Sequence, residues 1–160
     1  MSLRVIQWAT GGVGVAAIKG VLEHPDLELV GCWVHSKSKS GKDVGEIIGT
    51  APVGVTATDS VEEILALDAD AVIYAPLLPN LDEATALLRS GKNVVSPVGW
   101  FYPGESEAAP LAAAASARLC FVETATVRPF VRGDGFKAAG FRGWQAVAIS
   151  CHMTSLARDR

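Results

Sequence analysis

Cysteine is scarce: Cys32, Cys120 and Cys151 are the only three in 160 residues. They form no CxxC pair and no even-numbered framework, which excludes a disulfide-stapled fold and a thiolate metal centre. Positive charge is also scarce. Fourteen Lys and Arg against seventeen Asp and Glu leave a net charge of -3, so the chain lacks the basic surface of a general nucleic-acid or membrane-surface binder. No apolar run reaches the roughly 18 residues of a membrane span, and no charged n-region followed by an apolar h-region opens the chain. These absences lead to the expectation of a cytoplasmic protein with neither a nucleic-acid nor a membrane partner. What is present is 49% hydrophobic and 19% charged, which excludes disordered and collagen-like chains. The length suits one domain that buries about two thirds of its unfolded surface without staples.

Charge is unevenly spread. Residues 1–117 carry a net charge of -7 and residues 118–160 a net charge of +4. Arg4 and Arg89 are the only arginines before residue 118, and six lie from Arg118 onward. The break is expected to mark a domain boundary. Residues 1–117 read as one unit and 118–160 as an atypical tail, either an edge addition or a truncated or out-of-frame remnant of a second domain. Leu119–Val122 and Ala146–Ser150 are the two runs in it able to add strands.

Within the first unit, strands alternate with helices. Leu3–Ala9 is a short apolar run of the kind found in buried parallel strands. Apolar residues at helical spacing follow from Val13, and His24-Pro25-Asp26 ends that helix. Leu27–Val34 is the second strand, Val44–Ile48 a helical turn and Val53–Ala57 a short third strand. Asp59 or Ser60 caps a helix through Leu67, with Glu62 and Glu63 placed to suit its dipole. Ala71–Ala75 is the fourth strand. Pro79 and Asn80 open a helix to Ser90 that Gly91 closes in a left-handed conformation. Asn93–Ser96 is the fifth strand and Glu105–Ala117 an alanine-rich helix. This alternation predicts an α/β fold of Rossmann type: a doubly wound parallel sheet with helices on both faces and right-handed crossovers.

The chemistry-bearing feature is the turn after the first strand, Ala9-Thr10-Gly11-Gly12-Val13-Gly14. In a dinucleotide site one glycine makes the tight turn, a second lets backbone N–H groups approach the pyrophosphate, and a third lets helix pack on strand. The helix N-terminus then supplies partial positive charge to the phosphates. Gly11 and Gly14 keep the GxxG half of that fingerprint. The first glycine position falls on Trp8 or Ala9, depending on register. The plainer alternative is a turn that only packs helix against strand. A P-loop is excluded, because no GK[ST] follows.

The end of the second strand bears on the choice of cofactor. NAD sites place an acid about 20 residues beyond the fingerprint for the ribose hydroxyls, whereas a 2′-phosphate asks for donors or positive charge. Here Val34-His35-Ser36-Lys37 holds no acid, and His35, Ser36, Lys37 and Lys39 can all donate. NADP(H) is therefore expected over NAD(H), unless these residues are simply a solvated loop. Pro76 and Pro97 follow the fourth and fifth strands at the edge where open α/β sheets bind ligands. They either line a nicotinamide ribose or only terminate strands. The aromatic loop Gly99-Trp100-Phe101-Tyr102-Pro103 is a pocket wall or a domain-interface patch. No catalytic constellation is evident. Glu105 suits a helix dipole better than acid–base work, and Cys151 and His152, being adjacent, point apart. No metal ligands are assigned.

The run Arg4-Val5-Ile6-Gln7-Trp8-Ala9-Thr10-Gly11-Gly12-Val13-Gly14 resembles the dihydrodipicolinate-reductase-like proteins, relatives of diaminopentanoate dehydrogenase and the amine dehydrogenases. The likeness continues through Val34–Lys37, Gly41–Glu46, Ala57–Ser60 and Asn93–Pro97, and stops near residue 117. It implies an NAD(P)-dependent oxidoreductase acting at a C–N bond, with hydride passing between nicotinamide and an imine or amine. It also implies that Gly11, Gly12, Val13 and Gly14 hold the pyrophosphate and that His35, Ser36 and Lys37 hold the adenosine ribose; Thr10 in the turn and Pro76 after the fourth strand are further cofactor-binding candidates. Proteins of this family carry a second domain for substrate and for homo-oligomer formation. The alternative from another class is a non-catalytic nucleotide-binding or interaction module.

Overall fold

A computed structural model of the chain describes residues 2–98, 114 and 119–121. The elements in chain order are β1 (Leu3–Trp8), α1 (Gly12–Glu23), β2 (Leu27–Trp33), α2 (Val44–Ile48), β3 (Ala57–Thr58), α3 (Val61–Ala66), β4 (Ala71–Tyr74), α4 (Leu81–Arg89), β5 (Asn93–Ser96) and β6 (Leu119–Phe121). The strands form one sheet in the order β3-β2-β1-β4-β5-β6, and every neighbouring pair is parallel. This is the strand order of the dinucleotide-binding Rossmann fold. β6 lies on β5, with Val94 opposite Leu119 and Ser96 opposite Phe121. The helix expected over Glu105–Ala117 lies outside the described residues, except Ala114, which is helical and buried. The aromatic loop, Glu105, Ala146–Ser150 and the Cys151-His152 pair also lie outside them.

Alternation along β1 sends Ile6 and Trp8 to one face and Val5 and Gln7 to the other. The first face packs with Val72 and Tyr74 of β4, Ile64 of α3, Leu87 and Leu88 of α4, and Ala114. The second packs with Ile18 and Val21 of α1 and with Val44 and Ile48 of α2. Burial of each large aliphatic side chain contributes about 1.5–3 kcal/mol, so both layers are needed to hold the sheet. Because α1 and α4 leave on opposite faces, the winding reverses between β1 and β4. A crevice at the carboxyl ends of those two strands follows from that reversal.

Three helix starts follow the expected capping chemistry. Ser60 Oγ accepts from the Glu63 N–H at 3.2 Å, and Asn80 Oδ1 accepts from Asp82 and Glu83. Asp43 caps α2, while Gly91 follows α4 with φ of +85°. The third strand differs from expectation. Pairing with β2 covers only Ala57 and Thr58, not Val53–Ala57. Val55 before it and Ala57 within it bond to the segment leading into α2, with Val44 N–H donating to the Val55 carbonyl at 2.8 Å and Ala57 N–H to that of Lys42 at 2.8 Å. Val53 and Val55 pack under α2.

Asp43 ties this loop together. Its carboxylate accepts from the N–H groups of Gly45 (2.7 Å), Val53 (2.9 Å) and Gly54 (2.8 Å). These donors, Val53 foremost, hold the carboxyl below its ordinary range. A depressed folded-state value gives stability that is present above the unfolded value near 4 and is lost as pH falls through the folded one. Asp43→Ala should therefore lower the urea midpoint at pH 7, and its difference from the unsubstituted protein should shrink towards pH 3. A midpoint difference constant from pH 7 to pH 3 would remove Asp43 from this role.

Candidate nucleotide-binding site

The chain leaves β1 through a sharp bend. Ala9 has φ of +71°, the only non-glycine among the described residues in the left-handed region, and its N–H donates to the Trp33 carbonyl at 2.9 Å. Gly11 is the N-cap of α1, which begins at Gly12. Unlike the other helix starts described, this one has no side-chain cap and no acid in its first turn. Its orphan N–H groups are left to solvent or to a ligand, and the helix dipole favours an anion there.

The glycines divide by role. A Cβ on Gly11 or Gly12 would meet nothing within 4 Å, whereas one on Gly14 would overlap the Ala9 carbonyl. Gly14 is buried while Gly11, Gly12 and Val13 are exposed. The register left open by sequence is thereby resolved. Ala9 makes the bend, Gly14 packs α1 against it and Gly11 stands between them with open space above it, which is the spacing of the GxGxxG pattern with alanine in the first position.

The loop after β2 reaches this turn. Lys39 Nζ donates to Thr10 Oγ1 at 3.0 Å and to the Thr10 carbonyl at 3.3 Å, which brings a cation to the mouth of α1. His35, Ser36 and Lys37 are exposed at the end of β2. The His35 ring lies 6.1 Å from Trp33, and Ser36 Oγ is 2.8 Å from Ser38 Oγ. β3 brings an acid that sequence spacing did not place here. Asp59 accepts from Ser40 Oγ at 2.7 Å; that hydrogen bond first, and the Lys37 charge last, hold its carboxyl below the usual range.

On the β4 side, Ala75 N–H donates to the Trp8 carbonyl at 3.2 Å, which continues the β1–β4 ladder. Half-buried Pro76 is therefore the next residue along, just beyond the carboxyl end of β4. Under the turn lies an aromatic layer that sequence reading missed. Trp8 stacks on Trp33 at 4.4 Å and 16° and meets Tyr74 at 5.8 Å. Tyr74 donates to Glu83 at 2.8 Å and accepts from the Asn80 N–H. Burial, reinforced by Glu83, raises its pKa well above the usual phenol value. Burial also pushes the Cys32 thiol up to about 12, so it is no thiolate nucleophile at neutral pH. Among the described residues no three His, Cys, Asp or Glu side chains gather as a metal site, and no helix is long and apolar enough to cross a membrane.

Residues 5–96, more than half of the chain, match the family model of the dihydrodipicolinate reductase N-terminus. The chain belongs to the dihydrodipicolinate reductase family. This reductase-type domain is 41% identical over 108 residues to an amine dehydrogenase of Streptomyces virginiae, a match spanning 63% of this chain and 29% of the relative. It is 40% identical over 63 residues to a 4-hydroxy-tetrahydrodipicolinate reductase of Synechocystis, spanning 39% of this chain and 23% of the relative. The chain thus covers less than a third of the length of these curated relatives. Among solved structures, an amine dehydrogenase from Mycobacterium smegmatis superposes with a TM-score of 0.66 at 21% identity, over 76% of this chain and 38% of that one. An NAD-binding protein from Listeria innocua gives 0.58 at 21% identity, over 76% and 35%. These superpositions show a Rossmann-type fold.

Proposed function

We propose that this reductase-type domain holds a nicotinamide dinucleotide across the β1–β4 crevice, NADP(H) in preference to NAD(H), for an oxidoreductase acting at a C–N bond. The observation that carries the reading is the α1 entrance: uncapped N–H groups, open space over Gly11 and Gly12, and a cation, Lys39, held on Thr10. Thr10, Gly11, Gly12, Val13 and Gly14 hold the pyrophosphate. His35, Ser36 and Lys37 face the adenosine ribose and its 2′-phosphate, and Pro76 borders the nicotinamide ribose. The residues present fit the group, because a dianionic linker meets donors and positive charge rather than acids.

When bound, the nicotinamide ring supplies the hydride chemistry; the residues of this domain bind and orient it. The C–N assignment draws on the names of the relatives, an amine dehydrogenase and the reductases of 4-hydroxy-tetrahydrodipicolinate. In this reading cofactor binding belongs to residues 1–117, with 118–160 as the atypical addition. Purified 160-residue protein is then expected to bind NADPH yet to reduce NADP+ with amines very slowly or not at all. Rapid amine-dependent turnover would refute that division of labour.

The cofactor preference is tested by calorimetry. NADPH should bind more tightly than NADH, and Lys37→Glu should weaken NADPH about tenfold while sparing NADH. An exposed charge pair is worth up to about 1 kcal/mol, and reversing the sign adds a repulsion of similar size. Equal affinities for the two nucleotides in the unsubstituted protein would sink the preference. Asp59, whose carboxylate feels Lys37, works in the opposite direction. Asp59→Asn is expected to widen the preference for NADPH.

A further inference from the structure

Gln7 is a polar side chain in an apolar layer. It is fully buried, on the sheet face that Val5 shares with Ile18 and Val21 of α1. Its Nε2 donates to the Trp8 carbonyl at 3.0 Å and to the Ala9 carbonyl at 2.9 Å. Two facing carbonyls accept only a donor, which fixes the orientation of the amide. Its Oε1 has no partner among the described residues. An apolar side chain of equal size would fill the same space without an orphaned oxygen, so packing does not account for an amide here.

The bend that the amide touches does account for it. Ala9 is held at φ of +71°, where an L side chain is disfavoured and glycine is at ease. Its carbonyl is pinned by Gln7 and lies over the bare Cα of Gly14. The orientation of that peptide sets the direction of the chain through Thr10 to Gly11, and so the aim of the first N–H groups of α1. We infer that Gln7 is a positioning residue: its amide locks the left-handed bend at Ala9, replacing the freedom of a glycine, and so aims the α1 entrance at a dinucleotide pyrophosphate. The inference rests on the proposed reading of this turn as the phosphate site.

The test is a double-mutant cycle of Gln7→Met and Ala9→Gly in the full chain. It is read by NADPH and NADH affinity and by amide hydrogen exchange of residues 9–12 in the nucleotide-free protein. Gln7→Met alone should weaken both nucleotides about tenfold, since the pyrophosphate is common to them, and should speed exchange in the turn. In the Ala9→Gly background the same substitution should cost threefold or less. Failure of Gln7→Met to fold, with folding restored by Ala9→Gly, is the same rescue and supports the lock. An equal loss in both backgrounds, no loss in either, or misfolding in both would overturn it. If the unsubstituted protein bound neither nucleotide, the reading of the site would fall and the positioning role with it. Turn exchange that still responded to Gln7→Met and was rescued by Ala9→Gly would show that the site reading, not the lock, was at fault.

Discussion

Gly11→Val is expected to abolish nucleotide binding, with at least a hundredfold loss of affinity for NADPH and NADH alike, and to leave the fold standing. The expectation rests on where the new side chain goes. Gly11 has φ of -75° and ψ of -172°, an extended conformation open to any residue, and a Cβ there meets no atom within 4 Å. The sheet and α1 therefore tolerate valine. The cost is that of a poor N-cap residue, about 1 kcal/mol or less, or a few degrees in Tm for a domain of this size. The space that the isopropyl group fills is the space over the α1 entrance, where a pyrophosphate must come within hydrogen-bond reach of the backbone. Displacing it forfeits several charge-assisted hydrogen bonds together, each worth about 1.5–3 kcal/mol, and a hundredfold is only about 2.7 kcal/mol. Calorimetry with both nucleotides, beside a thermal melt, reads both halves of the expectation. Undiminished binding would move the site away from this turn, and a collapsed melt would show that Gly11 is structural.

That separation of binding from folding was only partly visible in the sequence. Periodicity and punctuation located the main elements. His24-Pro25-Asp26 stopped α1, Ser60 and Asn80 capped their helices, and Gly91 stood where φ had to be positive. These signals are local, carried by residues within a turn or two of one another. What was not legible is non-local. β3 shrank to Ala57 and Thr58 because Asp43, ten and eleven residues away, takes the N–H groups of Val53 and Gly54, and no alternation pattern reports such a tie. The stack of Trp8 on Trp33 depends on the β1–β2 register, which contains a shift between Val5 and Ile6. Lys39 meets Thr10 through the same pairing. Asp59 came to Lys37 from a different strand, so counting along the chain from Gly14 found no acid.

The register of the fingerprint is the sharpest case. With Trp8 or Ala9 both open for the first position, the sequence could not say which residue bends. The structure assigns the bend to Ala9, and the consequence falls on Gly14, where the second large effect is expected. A Cβ on Gly14 would sit against the carbonyl oxygen and carbon of Ala9, with Gln7 Nε2 at 3.1 Å. Flexible side-chain ends can yield, but this obstacle is backbone, already fixed by Gln7 and by the Ala9 N–H on Trp33. Accommodating Gly14→Ala requires α1 to lift from β1 or the bend to open, either of which disturbs Ile18 and Val21 in the core beneath. Overpacking typically costs 1–3 kcal/mol, more when a main chain must move. A loss of about 3 kcal/mol is expected in urea denaturation, or roughly 10 °C in Tm. Gly12→Ala is the matched control. It adds the same methyl group two residues away into open space, and should be neutral or slightly stabilising, because alanine is the better helix former. Nucleotide affinity should fall with Gly14→Ala only as far as the turn is deformed, whereas Gly11→Val loses it with the fold intact. A Gly14→Ala protein as stable as its Gly12→Ala counterpart would refute the close packing of α1 on the Ala9 carbonyl, and with it the assignment of Ala9, Gly11 and Gly14 to the three positions of the fingerprint.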